Sequence, residues 1–305
     1  MRERLRRWSP VIAAVQVLLG AGLVVAAVSG AFDDGDGSPP DAAPAAARVR
    51  VDRFDARRAW ADLRHQVRMG PRPAGSPASR RLAAWLRDRL PRGRLRAVPG
   101  GLRNVVGSLP GRGPAVVVAA HYDTKDLPGF VGAEDGAGGT AAVLELARAL
   151  RHAPRPVGAP ALRFVLFDGE ESPDDAADFY STGLRGSRAY ARAHAPRDVR
   201  AVVLLDFVAD AQLSIPREAG SDPALWRRLR AAARRVGAAA AFPATTTGEV
   251  LDDHTPFARR GVPAIDLIDF SYPCWHQPCD DLAHVSAHSL DLSGETVLEL
   301  LRSWR

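Results

Sequence analysis

Two histidines and a group of carboxylates carry the chemistry open to this sequence: His121, Asp135, Glu170, Glu171, Asp206, Asp252 and His276. Taken singly each has an ordinary reading. His121 fits a strand-end histidine, Asp135 a turn beside Gly136, Glu170 and Glu171 the start of a helix, Asp206 a strand-end cap and His276 a loop. Gathered in one cleft they would repel one another, and a divalent cation is the simplest neutraliser. Imidazole nitrogens mixed with carboxylate oxygens suit zinc, at about 2.0–2.2 Å, with a position left open for substrate. Glu170 and Glu171 are adjacent, so on extended or loop backbone their side chains diverge. One can ligate metal while the other faces substrate as a proton carrier.

The elements that would bring these residues together are legible as pattern. Short runs rich in Val and Leu, over 105–109, 115–120, 162–167, 202–205 and 264–268, alternate with helical periodicity over 138–150, 184–193, 225–236, 256–260 and 289–301. Two more helical stretches, 51–69 and 76–90, flank the turn Gly70-Pro71-Arg72-Pro73. Runs without polar alternation suit strands buried on both faces, so the expected fold is α/β: one domain with a central mixed, mostly parallel sheet between helices. Three of the runs end in polar residues: His121-Tyr122-Asp123, Asp168-Gly169-Glu170-Glu171 and Asp206. Ligands of open α/β sheets bind outside the carboxyl ends of strands, so one rim would collect these groups.

The segments HYDTKDLPGFVGAEDGAGGTAAVLELARAL, RFVLFDGEES, TGLRGSRAYA, VVLLDF, DDHTPFARRGVPAIDLI and WHQPCDD resemble, in order and spacing, the zinc aminopeptidase superfamily that contains the glutaminyl cyclases. The resemblance runs from about Gln66 to the C-terminus. It implies a zinc held by Asp135, Glu171 and His276, with Glu170 as general acid and base. In the two-zinc aminopeptidases of the superfamily, the residues matching His121 and Asp206, with Asp135 as bridge, hold the other metal. Asp252-Asp253-His254 looks like the cyclases, in which the first aspartate joins the matches of Glu170 and Asp206 in a proton-sharing network. The alternative for this pair is capping of the helix ahead of Thr255 and Pro256.

Trp275 before His276, Lys125 after HYDT, and a long insert between FDGEE and LRGSR are also cyclase-like. Trp275 reads either as the wall of a side-chain pocket or as core packing. Two departures stand against the likeness. The insert 172–182 has only Phe179 and Tyr180 where animal cyclases carry a tryptophan, and the segment 133–139 looks more like the peptidases. The expected activity is therefore cyclisation of N-terminal glutamine, with a zinc aminopeptidase as the alternative and a non-catalytic, receptor-like domain behind both. Peptide or protein N-termini are the expected partners.

Of the 305 residues 46% are hydrophobic and 25% charged, the balance of a globular chain. The formal charge of +6 includes the arginines of the first ten residues, and elsewhere Arg alternates with Asp and Glu without interleaved aromatics, which argues against nucleic-acid binding. Residues 1–10 are basic and 11–32 almost wholly apolar, long enough to cross about 30 Å of hydrocarbon. The positive-inside rule then holds the N-terminus in the cytoplasm and exports the rest. A transmembrane signal anchor or a cleaved signal peptide both fit, giving a membrane-anchored or a secreted enzyme. Residues 33–48, rich in Pro, Ala, Gly and Asp, read as a flexible linker, and 49–305 as the catalytic domain. Cys274 and Cys279 are the only cysteines, a disulfide in an oxidising compartment or a free pair.

Overall fold

The computed structural model describes residues 49–304, so the expected N-terminal span and linker lie outside the described residues. Among those described, no helix is long and apolar enough to cross a membrane. Six strands form one sheet in the order β1-β2-β4-β3-β5-β6: β1 (Arg94–Val98), β2 (Leu102–Leu109), β3 (Ala115–His121), β4 (Leu162–Phe167), β5 (Val199–Leu205) and β6 (Ala264–Leu267). β4, β3, β5 and β6 run parallel, while β2 pairs antiparallel with both β1 and β4. The chain leaves β3 for β4 on one side and then returns to β5 on the other. That reversal beside β3 is the switch point where open α/β sheets leave a crevice at the strands' carboxyl ends.

Every residue of β3 is buried, as its unbroken apolar run requires. One face of the sheet packs against α1 (Ala56–Arg68), α2 (Pro77–Arg87), α3 (Ala137–His152), α6 (Pro223–Val236) and α8 (Ala287–Arg302). The other carries α5 (Arg185–Ala193) and α7 (Thr255–Ala258), with Tyr190 and Phe257 set against Val165 and Phe167. A one-turn helix, α4 (Phe179–Thr182), lies in the insert after β4.

Local chemistry explains the boundaries. The helical stretch expected over 51–69 begins only at Ala56, because Asp55 accepts the Arg58 N–H at 2.9 Å and buried Glu295 accepts the Arg53 and Phe54 N–H groups. Ser76 ahead of Pro77 and Asp222 ahead of Pro223 start α2 and α6 in the same way. β1 has no counterpart among the expected strands. As an edge strand it alternates Arg94 and Arg96 with Leu95 and is mostly exposed, so it lacks an apolar run.

Candidate metal centre

The carboxyl ends of β3, β4 and β5 deliver His121, the Glu170-Glu171 pair and Asp206 to one rim. Asp135 arrives from the turn before α3. Gly136 there has φ 95°, and a Cβ on it would lie 2.6 Å from the Asp123 carbonyl oxygen, so only glycine lets this turn close on the strand end. Gly139 on the first turn of α3 lies so near β5 that a Cβ would meet the Leu205 carbonyl oxygen at 2.0 Å. The helix that carries Asp135 is thereby pressed onto the sheet.

Buried groups hold this turn in place. Arg72, fully buried, donates to the Val131 and Gly132 carbonyls at 2.6 and 3.0 Å and to that of Tyr122 at 3.3 Å. Asp280 accepts the Glu134 and Asp135 N–H groups at 2.8 and 3.1 Å. Asp123 does the same for Glu170 and Glu171 at 3.2 and 3.3 Å. Neither Arg72 nor these two aspartates stood out in the sequence as supports of the site. The only signal was position, Asp123 two residues after His121 and Asp280 within the WHQPCDD segment.

The side chains expected as ligands converge in two triads, His121-Asp135-Asp206 and Asp135-Glu171-His276, that share Asp135. His121 Nε2 lies 3.2 Å from Asp135 Oδ1 and 3.1 Å from Asp206 Oδ1. His276 Nε2 lies 3.6 Å from Asp135 Oδ2 and 3.3 Å from Glu171 Oε1. Two ligands at about 2.05 Å from a tetrahedral zinc sit roughly 3.3 Å apart. Both triads have that spacing, and Asp135 offers a separate oxygen to each. Glu171 Oε1 is buried and completes no hydrogen bond despite its closeness to His276, as a ligand atom would.

Charge points the same way. Burial first, then the Asp135 charge, pushes the Glu171 carboxyl up to about 7, against the pull of His276. Burial, Glu171 and Asp252 raise the Glu170 carboxyl well above its ordinary value, and burial and Asp252 do so for Asp206. His121 is lowered by burial, but the adjacent Asp123, Asp135 and Asp206 carboxylates outweigh that and raise it well above the usual imidazole range. A divalent cation relieves such a concentration of buried carboxylates. Lys125, also buried, contributes a positive charge 3.8 Å from Glu171 and donates to the Ser172 carbonyl at 2.9 Å.

His276 occupies a loop closed by the Cys274–Cys279 disulfide and adopts φ 51°, a left-handed conformation that non-glycine residues avoid. Trp275 stacks on its ring at 4.6 Å and approaches Phe270 at 4.9 Å. At 45% exposure Trp275 is no core residue, so the core-packing reading fails. Together with Phe207, Phe270 and Phe179 it lines a cavity of about 590 Å³ that also exposes His121, Asp135, Glu170, Glu171, Asp206 and Asp252. Tyr180 does not line it, its ring lying instead 3.8 Å from the Arg259 guanidinium.

The Asp252-Asp253 pair does not cap α7. His254 occupies the N-cap and makes no side-chain hydrogen bond there, and the Asp252 carboxylate does not bond Thr255: the Asp252 carbonyl accepts the Thr255 N–H at 2.8 Å and the Thr255 hydroxyl accepts the Asp252 N–H at 3.2 Å. Asp252 and Asp253 are 2% and 0% exposed, and burial with the Asp252 charge holds the Asp253 carboxyl well above its usual range. Helix capping therefore explains neither aspartate.

The model for Peptidase family M28 matches residues 104–301, more than half of the chain. A mouse glutaminyl-peptide cyclotransferase-like protein is 32% identical over 216 residues, 60% of this chain and 55% of the mouse protein. Aminopeptidase YwaD of Bacillus subtilis is 28% identical over 196 residues, 60% of this chain and 39% of that protein. The chain thus matches about half, or less, of these two relatives. The crystal structure of an Acidobacteriales bacterium glutaminyl cyclase superposes with a TM-score of 0.71 at 31% identity, covering 88% of this chain and 98% of the other. With its strand-end histidine and carboxylates, its mixed sheet and the extent of these matches, the chain belongs to peptidase family M28, within the zinc aminopeptidase superfamily that includes the glutaminyl cyclases.

Proposed function

We propose that the protein is a zinc-dependent glutaminyl-peptide cyclotransferase, which converts the N-terminal glutamine of peptides or proteins to pyroglutamate and releases ammonia. The observation that carries the reading is Asp252, a buried carboxylate that lines the cavity beside Glu170 and Asp206 and has no capping role. Glutaminyl cyclases among the similar proteins, the mouse and Acidobacteriales ones included, support it.

Asp135, Glu171 and His276 would hold one zinc, which supplies a Lewis acid for the γ-amide carbonyl. Glu170, its carboxyl raised well above its ordinary value by burial and Glu171, moves the proton. It takes one from the α-amine as that nitrogen bonds to the γ-carbonyl carbon. The same proton goes to the departing amide nitrogen as the old C–N bond breaks, so ammonia leaves and no water is consumed. Asp252 and Asp206 accept from the substrate amine and orient it. Trp275, Phe270 and Phe207 wall the glutamine side chain and keep water from the carbonyl.

A second reading, a two-zinc aminopeptidase, is favoured by the His121-Asp135-Asp206 triad and by the likeness to YwaD. In it Glu170 would draw a proton from water that attacks the first peptide bond. The purified chain, given Gln-peptides and aminoacyl anilides alongside metal analysis, separates the two. The cyclase releases ammonia and holds one zinc per chain. Two tightly held zinc ions with release of free N-terminal amino acids would make it a peptidase.

The same reading takes the enzyme to be anchored by residues 11–32 with its catalytic domain outside the cytoplasm. Support comes from the arginines preceding that segment and from the Cys274–Cys279 disulfide, a bond kept in oxidising compartments. Extraction of the native protein from membranes by alkaline carbonate would overturn the anchor.

A further inference from the structure

A second large cavity, about 680 Å³, lies on the face of the sheet that carries α5, far along the strands from the metal ligands. Arg163, the second residue of β4, pairs with Ser108 near the start of that strand, whereas Glu170 and Glu171 follow its carboxyl end. Arg163 and Ser108 line the cavity with Arg92, Arg94, Arg96 and Tyr190. Strand alternation accounts for the gathering. Arg94 pairs with Val106 and Arg96 with Asn104, so both arginines share the face of Val106 and, across β4, of Arg163.

No aspartate or glutamate lines this cavity. Arg58 pairs with Glu145, Arg148 with Asp62, and Arg53 and Arg235 with Glu299. Arg92, Arg94, Arg96 and Arg163 make no ion pair among the described residues. Two polar atoms within the cavity are also left over. Tyr190 Oη and Arg163 Nη1 are buried and have no hydrogen-bond partner other than each other, the guanidinium opposing the rise that burial imposes on the tyrosine. A buried donor without a partner calls for one, such as water or a bound ion. Arg92, at the rim, holds φ 54°, a left-handed conformation that non-glycine residues avoid.

We infer that this cavity is a binding site for a multiply charged phosphoryl anion, separate from the metal centre. Planar guanidinium forks match the paired oxygens of phosphate groups, and four of them without a counter-charge call for a ligand carrying several negative charges. The volume exceeds what one inorganic phosphate fills and falls in the range of small-molecule sites, about 300–1,000 Å³. Tyr190 Oη is placed to donate to one of the ligand's oxygens, and Arg163 Nη1 to another.

Calorimetric titration of the full chain with tripolyphosphate, against sodium chloride of equal ionic strength, tests the site. Glycerophosphoglycerol, the soluble headgroup of an anionic lipid, forms a parallel arm. Saturable one-site binding of tripolyphosphate, weakened at least 10-fold in Arg94→Gln/Arg96→Gln and also weakened in Tyr190→Phe, is the expected result. Tighter binding of glycerophosphoglycerol, a diester with one negative charge, would overturn the call for a multiply charged anion and, with the same loss in the variants, assign the site to a lipid headgroup. Both arginines are exposed, so the double variant folds, and its zinc content and turnover should equal those of the unaltered protein. Failure of both anions to bind above the chloride control, or equal binding by the double variant, would overturn the inference.

Discussion

The candidate metal ligands come from two regions built on different physics. β3, β4 and β5 set His121, Glu170, Glu171 and Asp206 through apolar runs that have one stable place, the middle of a sheet covered on both faces. The Asp135 turn and the loops that carry Asp252 and His276 have no such runs. Buried polar contacts hold them instead: Arg72 on the carbonyls of 131 and 132, Asp280 on the N–H groups of 134 and 135, and a disulfide around His276. Each triad takes ligands from both regions, so the centre is complete only when the sheet and its loops have both ordered. Hydrophobic burial is tolerant of small changes in sequence, whereas one buried donor or acceptor left without its partner costs about 1–3 kcal/mol.

Breaking the Asp135-Glu171-His276 triad has the largest expected effect. Asp135→Ala, Glu171→Ala and His276→Ala should each release zinc at neutral pH and abolish turnover, although the first two lie in opposite regions. Full zinc occupancy in all three by elemental analysis would refute the ligand set. Glu170→Gln, on the strand side, keeps the shape but not the proton carrier. Turnover should fall at least about 100-fold with zinc retained, and undiminished turnover with zinc bound would remove Glu170 from the chemistry.

On the loop side, Asp252→Ser should lower cyclisation by roughly 10–100-fold and leave α7 and the melting temperature unchanged, since Asp252 does not cap that helix. Loss of stability without loss of activity would return Asp252 to a structural role. Arg72→Met tests the polar scaffold itself. It leaves the Gly70, Tyr122, Val131 and Gly132 carbonyls without their donor, so urea unfolding should show a loss of about 3 kcal/mol, and a change below about 1 kcal/mol would mean that the turn holds itself. The smallest effect belongs to the double change Cys274→Ala/Cys279→Ala. Closing so short a loop contributes about 2 kcal/mol, and the main consequence should be weaker zinc retention in chelator competition as His276 loosens.

Much of this protein is determined by sequence alone. Apolar runs at 115–120, 162–167 and 202–205 could be buried only as central strands, and the polar residues that end them could only collect on one rim. The residues of both triads were legible as types suited to zinc, and their order along the chain carried the family resemblance. The edge strand β1 was not legible, because an exposed strand studded with arginine has no hydrophobic signature. Nor was the late start of α1, which depends on Glu295, 241 residues from Phe54 along the chain.

Only the tertiary structure decided what each polar residue near the site does. Asp252 and Asp253 could have capped a helix, Trp275 could have filled a core, and nothing local marks Asp123, Asp280 and Arg72 as supports of the Glu170-Glu171 and Asp135 backbone. These choices turn on which buried donors and acceptors meet across long sequence separations, and no local pattern encodes that. The gathering of arginines under α5 has the same origin: a one-dimensional reading finds them scattered, and strand pairing alone puts Arg94, Arg96 and Arg163 around one cavity.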